Sequence, residues 1–196
     1  MQATNFFTAL KFSAVLALAL MCFACAHGNV VHLSYPIAPE ASAIPPKNIR
    51  VCVVDFKNNR QSGAIGERLN GEKLMPRTPV ERWLASALAN ELRYAGYQAV
   101  VTETYEEALE SRPDYIVTGN AEEVWLSETS RTRYTGTVRA RISLRDGKGG
   151  YITQNEYNSV YSKTSLPVYG VPQSLLGEAL VEMLQPASRL LARIMQ

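Results

Sequence analysis

The chain has 196 residues, of which 46% are hydrophobic and 19% charged, and its formal net charge is +2. These values are typical of one globular domain, and they exclude wholesale disorder and fibrous repeats. The 20 basic residues barely exceed the 18 acidic ones, so we expect no nucleic-acid partner.

The amino terminus predicts a signal peptide over residues 1–24. Lys11 precedes an uncharged apolar run from Phe12 to Ala24. A membrane-spanning helix needs about 20 apolar residues, so this run is too short to span a bilayer comfortably. Its length and its small final residue are typical of a secretion signal.

Cys25 directly follows Ala24, and this order resembles a bacterial lipobox. The resemblance implies that the Cys25 thiol receives a lipid, with fatty acids such as palmitate, and that the mature chain starts there. The alternatives are an ordinary cleaved signal, an uncleaved anchor, or lipidation of Cys22, which would place Met21 at the cleavage position. Acyl chains hold a protein on a membrane with ~0.8 kcal/mol per buried methylene. Lipoproteins that resemble this one in having Ala26 after the cysteine usually reach the outer membrane, so we expect the chain on its periplasmic side.

Residues 25–48 form the predicted lipidated amino terminus and tether. Proline and alanine are frequent there, as in Ala43–Pro46. A segment of this kind is extended and semi-rigid. We therefore expect it to hold a single globular domain, residues 49–196, away from the bilayer.

The first half of the domain alternates strands and helices. Ile49–Phe56 is apolar on both faces, which predicts a central strand with a buried Cys52 that forms no disulfide. Residues 57–77 are predicted to be a long polar loop in which Leu74 and Met75 are exposed. The elements that follow are a helix capped by Thr78 and stopped by Gly96, a strand over 97–102, and a short helix from a Thr104–Glu107 capping box to Ser111.

The second half is a meander followed by a helix. Three antiparallel strands are predicted, over Tyr115–Ser127, Tyr134–Arg145 and Tyr151–Ser162, with a turn at Asp146–Gly150. The closing helix runs from Gln173 to Ile194, and Pro186 should kink or break it. The element order β-α-β-α-β-β-β-α indicates an α/β (α+β) fold with a mixed β-sheet and helices packed mainly on one face.

The sequence pattern offers no familiar catalytic grouping. A catalytic base needs a shaped pocket, and the two histidines, His27 and His32, both lie in the predicted tether. Glu106–Glu107 and Glu122–Glu123 are sequence neighbours, so their side chains should point in different directions. We predict no enzymatic activity, no cofactor and no metal site, although distant acids could still converge on a pocket.

Arginines on one strand face are the first candidate binding group. Arg139, Arg141 and Arg145 alternate along the second strand of the meander, and Arg131 and Arg133 lie just before it. Arginine suits phosphate and carboxylate groups. The alternative, which we favour, is a solvated sheet face with cross-strand partners such as Glu156.

Tyrosines and two loops are the other candidates. Tyr151, Tyr157 and Tyr161 are expected on one face of the last strand, where they either bind a ligand or pack under a helix; we favour packing. Apolar residues of the 57–77 loop and of the loop after this strand either dock a neighbouring subunit or fold back over the core: Leu74, Met75, Leu166, Val168 and Tyr169.

These features together resemble the YajG-type family of bacterial envelope lipoproteins over about residues 49–195. The resemblance is carried by the leader, the Val53-Val54-Asp55 strand, Thr78-Pro79-Val80 before a helix ending at Gly96-Tyr97, Arg133-Tyr134, the Asp146–Gly150 hairpin and the Tyr157–Tyr161 strand. It implies an envelope lipoprotein without established enzymatic activity. Small α/β lipoproteins of ABC-type lipid transporters and PelC-type exopolysaccharide export systems are related.

Two functional hypotheses follow from the sequence and the resemblance. The first is a non-enzymatic, lipid-anchored assembly or interaction module that meets another envelope protein or a second copy of itself. The second is a ligand-binding or auxiliary component of lipid or exopolysaccharide transport, in which Arg139, Arg141 and the tyrosines line the route.

Overall fold

The structure of the protein is a computed structural model that describes residues 29–36, 45–166 and 171–195. The predicted leader and the candidate lipidation site, Cys25, lie outside these residues. So do Val168 and Tyr169 of the candidate docking loop.

The described residues form nine strands and three helices. The strands are β1 (Val30–Val31), β2 (Arg50–Val54), β3 (Lys57–Asn58), β4 (Gly66–Glu67), β5 (Lys73–Pro76), β6 (Gln98–Thr102), β7 (Tyr115–Glu128), β8 (Arg133–Asp146) and β9 (Tyr151–Thr164). The helices are α1 (Val80–Tyr94), α2 (Tyr105–Glu110) and α3 (Val171–Ile194). All nine strands belong to one mixed sheet, which confirms the predicted fold class.

The parallel part of the sheet is centred on β2. This strand lies between β6 and β7 and is parallel to both. Its residues from Val51 to Val54 are buried, as expected for a strand covered on two faces. Cys52 is a buried free thiol whose sulfur lies 3.0 Å from the Ser111 hydroxyl oxygen, so the structure agrees with the predicted burial of Cys52.

The antiparallel part is the meander β7–β8–β9. Along β8, buried residues from Tyr134 to Leu144 alternate with partly exposed ones, because successive side chains of a strand point to opposite faces. Helices α1 and α3 pack on the buried face and contact each other. The short α2 covers a small second cluster on the opposite face, made by Cys52, Val54, Ala108 and Ile116.

The helix caps agree only in part with those predicted from the sequence. The capping box of α2 forms as predicted, with the Glu107 amide donating to the Thr104 hydroxyl over 3.2 Å. The predicted Thr78 cap of α1 is wrong: Pro79, whose ψ of 130° is extended, takes the cap position without a side-chain bond.

Helix α3 is continuous through Pro186, so the predicted break does not occur. Buried residues on both sides, including Met183 and Leu191, hold the two halves on the same core.

The predicted loop over residues 57–77 is instead built into the sheet. It supplies β3, β4 and β5; β3 pairs with the middle of β7 and β4 with its far end. That strand has 14 residues, whereas β2 pairs only with its beginning, so the short strands cover backbone groups that would otherwise be left unpaired. Ile65 and Leu74 are fully buried; the predicted exposure of Leu74 is wrong, and that of Met75, 44% exposed, is confirmed.

Residues 29–36 also depart from the sequence prediction, because they are packed against the domain. Strand β1 runs parallel to β5, and the Met75 amide donates to the Asn29 carbonyl over 2.7 Å. Val31 and Leu33 are buried while His32 between them is exposed. This alternation puts one face of the segment into the core. The predicted tether therefore does not include residues 29–36, which belong to the globular domain.

Contacts with the helices fix the end of this segment. The Tyr35 hydroxyl donates to Glu91 of α1, and the Gln173 amide of α3 donates to the Ser34 hydroxyl over 2.9 Å. Burial, followed by the bond to Glu91, raises the pKa of Tyr35 well above its ordinary value. In α3, Gly177 leaves room for Pro36, since a Cβ there would lie 3.3 Å from the proline ring. The segment is therefore held along its whole described length.

Candidate binding surfaces

The predicted arginines lie on the face of the meander that points away from α1 and α3, which we call the outer sheet face. Arg139 pairs with Glu123 at 3.3 Å, and Arg141 lies 3.8 Å from Glu122 and 3.4 Å from Glu156. The cross-strand partner Glu156 is the one expected from sequence. These pairs balance the charge of the stripe, and its role in binding stays a prediction.

A bulge in β7 brings both neighbouring acids to this face. The β7–β8 register shifts between Ala121 and Glu123, and a bulge places two residues of one strand opposite one of its partner. Glu122 and Glu123 therefore both reach arginines of β8. The expectation that adjacent acids diverge is wrong at this position because it assumed a regular strand.

Arg145 has a different role from the other two arginines. Its guanidinium donates to the Gly149 carbonyl over 3.1 Å and lies 5.8 Å from the centre of the Tyr105 ring. These contacts fasten the β8–β9 turn to α2. Arg145 is therefore placed to hold the turn rather than to extend the paired stripe.

Tyr157 and Tyr161 lie on the buried face of β9, opposite Ala140 and Gly136. Burial raises the pKa of Tyr157, and a hydrogen bond with Glu178 is the main cause that raises the pKa of Tyr161. Both residues pack against the core, as the favoured packing alternative expects.

Tyr151 does not share that face. A register shift between Leu144 and Arg145 pairs Tyr151 with Arg145, which points outward. One extra residue is enough to move a side chain to the other face of a sheet. Tyr151 is 63% exposed, so the prediction that the three tyrosines share one face is wrong.

An ion cluster at the carboxyl ends of β2 and β6 is absent from the sequence predictions. Arg82 of α1 bridges Asp55 at 2.9 Å and Glu103 at 2.7 Å. Burial raises the pKa of Asp55, and the Arg82 charge opposes that shift. The signal was available, because an acid directly follows each of these parallel strands. The cluster joins β2, α1 and β6, and the described part of the chain holds no grouping of three or more residues suited to a metal ion.

A second feature that the sequence did not predict is a cluster of contacts around Asn29, at the end of the domain where the described chain begins. The Arg68 guanidinium donates to the Asn29 side chain over 3.2 Å and lies 3.4 Å from Glu128. The Leu69 amide donates to the same carboxylate over 3.1 Å. The start of β1 and the ends of β4 and β7 therefore meet at one place.

The start of β8 and the end of β9 lie at the same end of the domain. Arg131 and Arg133 are exposed at the β7–β8 turn, and the Ser165 amide donates to the Thr132 carbonyl over 2.8 Å, which brings Leu166 beside that turn. Leu69 is 57% exposed and Leu166 75%. We call this surface the Asn29 pole; its members are Asn29, Arg68, Leu69, Arg131, Arg133 and Leu166.

Reversing the paired arginines of the outer sheet face should destabilise the protein. In the variant Arg139→Glu with Arg141→Glu, three native glutamates face two new ones, and like charges opposite each other on a sheet are unfavourable. We expect the free energy of unfolding to fall by about 1–2 kcal/mol, less at high salt. Denaturant unfolding measures this change. Adding Glu122→Arg and Glu123→Arg should restore stability, and a variant as stable as the parent would show that the pairs contribute nothing.

Comparison with known proteins relates the chain to others by fold. No protein-family model matches it, and no curated protein matches it significantly in sequence. The solved structure of protein XCC0632 from Xanthomonas campestris, of family DUF330, has a TM-score of 0.53 at 13% identity, over 83% of this chain and 91% of that one. A putative neuraminyllactose-binding hemagglutinin homolog from Helicobacter pylori has a TM-score of 0.53 at 10% identity, over 81% and 91%.

The PelC dodecamer from Paraburkholderia phytofirmans has a TM-score of 0.45 at 18% identity, over 72% of this chain and 92% of that one. That superposition is too loose to carry an argument about assembly. At such identities the likenesses establish a fold shared with bacterial proteins of similar size. They do not establish the YajG-type family in particular, which stays a resemblance.

Proposed function

We propose that the protein is a non-enzymatic bacterial envelope lipoprotein whose domain serves as an assembly or interaction module. Cys25 carries the anchor, and the domain faces the periplasm at the outer membrane. The observation that carries this proposal is the short distance along the chain between the candidate lipidated cysteine and the folded domain. Cys25 lies four residues before Asn29, where the chain enters the sheet.

The shortness of this join decides where the domain would sit. Four residues span at most about 14 Å when fully extended. Because residues 29–36 pack against the core, they cannot serve as a flexible linker between the anchor and the domain. A lipid on Cys25 would therefore keep the domain beside the bilayer, where it can meet other envelope components close to the membrane. Among the residues that the structure describes, no helix is long and apolar enough to cross a bilayer.

The non-enzymatic part of the proposal is supported by the way charged groups are used. Glu122, Glu123 and Glu156 are engaged by arginines across strands, and Arg82 ties two strands to α1. Each of these contacts is accounted for by holding the sheet together. The proposed partner is another envelope protein or a second copy of this chain.

The alternative of a ligand carrier for lipid or exopolysaccharide is less well supported. Its candidate groups, Arg139 and Arg141, already contact carboxylates, and Tyr157 and Tyr161 pack toward α3. No observation in the described part of the chain favours this alternative.

Cys25→Ser tests the anchor against its matched control, Cys22→Ser. We expect Cys25→Ser to lose incorporated lipid and to leave the membrane fraction, because its serine cannot form the thioether. Cys22→Ser should behave as the parent, since that residue would depart with the leader. The measurements are intact mass of the membrane-extracted protein and its distribution after fractionation. A parent protein with an unmodified Cys25, or a Cys25→Ser variant that keeps its lipid, would refute the anchor.

A further inference from the structure

The Asn29 pole combines exposed leucines with exposed arginines. Leu69 and Leu166 are 57% and 75% exposed, although each would be more stable out of water. Arg131 and Arg133 are exposed beside them, and neither has a carboxylate within 4 Å among residues 29–36, 45–166 and 171–195. The arginines of the outer sheet face differ, because Arg139 and Arg141 are paired there.

This mixture of side chains matches the boundary of a bilayer. Leucines can enter the region between headgroups and acyl chains, while arginines are attracted by anionic headgroups. A protein partner could carry charges of either sign opposite this pole, whereas an anionic bilayer surface specifically attracts basic side chains. The chemistry therefore favours a lipid surface over a second protein at this pole.

The path of the chain provides the second, independent argument. Asn29 is itself a member of the pole, held there by Arg68. Only residues 26–28 separate it from Cys25, so the pole lies within about 14 Å of the candidate anchor. No other end of the domain is brought so close to the membrane by this join.

We propose that the Asn29 pole rests on anionic lipid headgroups, with Arg131 and Arg133 on the phosphates and Leu69 and Leu166 at the acyl boundary. This inference rests on the proposed anchor at Cys25. It fixes an orientation: the 14 residues of β8 lead away from the pole, at about 3.4 Å per residue. The Asp146–Gly150 turn then lies up to about 45 Å from the membrane, at the end of the domain that is free to meet a partner.

Lipid-borne quenching measures which end of the domain touches the bilayer. The mature lipidated protein would be reconstituted into vesicles of phosphatidylethanolamine and phosphatidylglycerol that carry a headgroup nitroxide. A fluorophore is placed on Leu166→Cys or Leu69→Cys, with Lys148→Cys in the distal turn as the control position. The native Cys52 is buried and Cys25 would carry the lipid, so the introduced thiol is the reactive one.

We expect strong quenching at positions 69 and 166 and little at 148. Arg131→Glu with Arg133→Glu should reduce quenching at 166 at least twofold, while the charge-matched control Lys148→Glu with Arg189→Glu leaves it unchanged. Vesicle flotation reports the anchor separately. Protein that floats but is quenched equally at 166 and 148, or is insensitive to Arg131→Glu with Arg133→Glu, overturns the orientation and leaves the anchor standing. Parent protein that does not float overturns both.

Discussion

Leu33→Asp should destabilise the domain by at least about 2 kcal/mol. Leu33 is 4% exposed within the main core, and truncating a buried leucine alone costs about 2–5 kcal/mol. A carboxylate there either stays buried without a partner, which is unfavourable, or pulls residues 29–36 off the domain. Both outcomes lower the denaturant midpoint.

The neighbouring residue provides a matched control for this effect. His32 is exposed in the same segment, so His32→Asp should change stability by less than about 0.5 kcal/mol. Hydrogen exchange supplies a local readout, since the Met75 and Arg77 amides donate to carbonyls of Asn29 and Val31. Both amides should exchange faster in Leu33→Asp only. Equal behaviour of the two variants would mean that the segment is a free tether after all.

Gly66→Ala should disrupt the junction between β4 and β7. A Cβ at residue 66 would lie 2.4 Å from the Leu126 carbonyl oxygen and 3.0 Å from its Cβ. Because the obstacle is backbone, the strands must separate, and overpacking of this kind costs about 1–3 kcal/mol. Thermal or denaturant unfolding measures the loss.

Gly63→Ala is the same substitution without the clash. Its Cβ would find only the Met75 methyl, at 3.9 Å, so stability should stay close to that of the parent. Strand β4 pairs with β5, and β5 pairs with β1. Because a displaced β4 would loosen both pairings, Gly66→Ala should also speed hydrogen exchange of the Met75 amide. A Gly66→Ala protein as stable as Gly63→Ala would contradict the close packing of β4 on β7.

Much of the fold could be predicted because its signals are local. The alternation along β8, the Asp146–Gly150 turn and the Thr104–Glu107 capping box each depend on residues close together in the chain. They identified the meander and α2 correctly. They also gave the right burial for Cys52, since it sits in a run that is apolar on both faces.

The errors concern pairings between distant segments. Strands β3 and β4 have two residues each, too few to show a period, and they exist because β7 is long enough to need covering. Segment 29–36 did carry a signal, the alternation of Val31, Leu33 and Tyr35, but its partner β5 lies over 40 residues downstream. Proline and low charge nearby favoured the tether interpretation.

The candidate binding surfaces were predicted only in part for a related reason. The arginine stripe and its partner Glu156 follow from strand alternation. One bulge puts Glu122 on the outer sheet face beside its arginine partner, and a second register shift moves Tyr151 out of the tyrosine row. Each adds a single residue, and nothing in the local sequence marks either one. The Asn29 pole gathers residues from four separate segments of the chain. Each residue could be identified from the sequence, but their proximity in the fold could not.

Neutron reflectometry of the mature lipidated protein on a supported bilayer tests most directly whether the folded domain follows the lipidated cysteine without a long flexible linker. If residues 29–36 are part of the domain, the protein layer should begin within about 14 Å of the headgroups. An extended tether over residues 25–48 would instead leave a hydrated gap of up to about 70 Å. A gap of several tens of ångströms, or no retained protein at all, would contradict a lipid-anchored domain seated at the membrane.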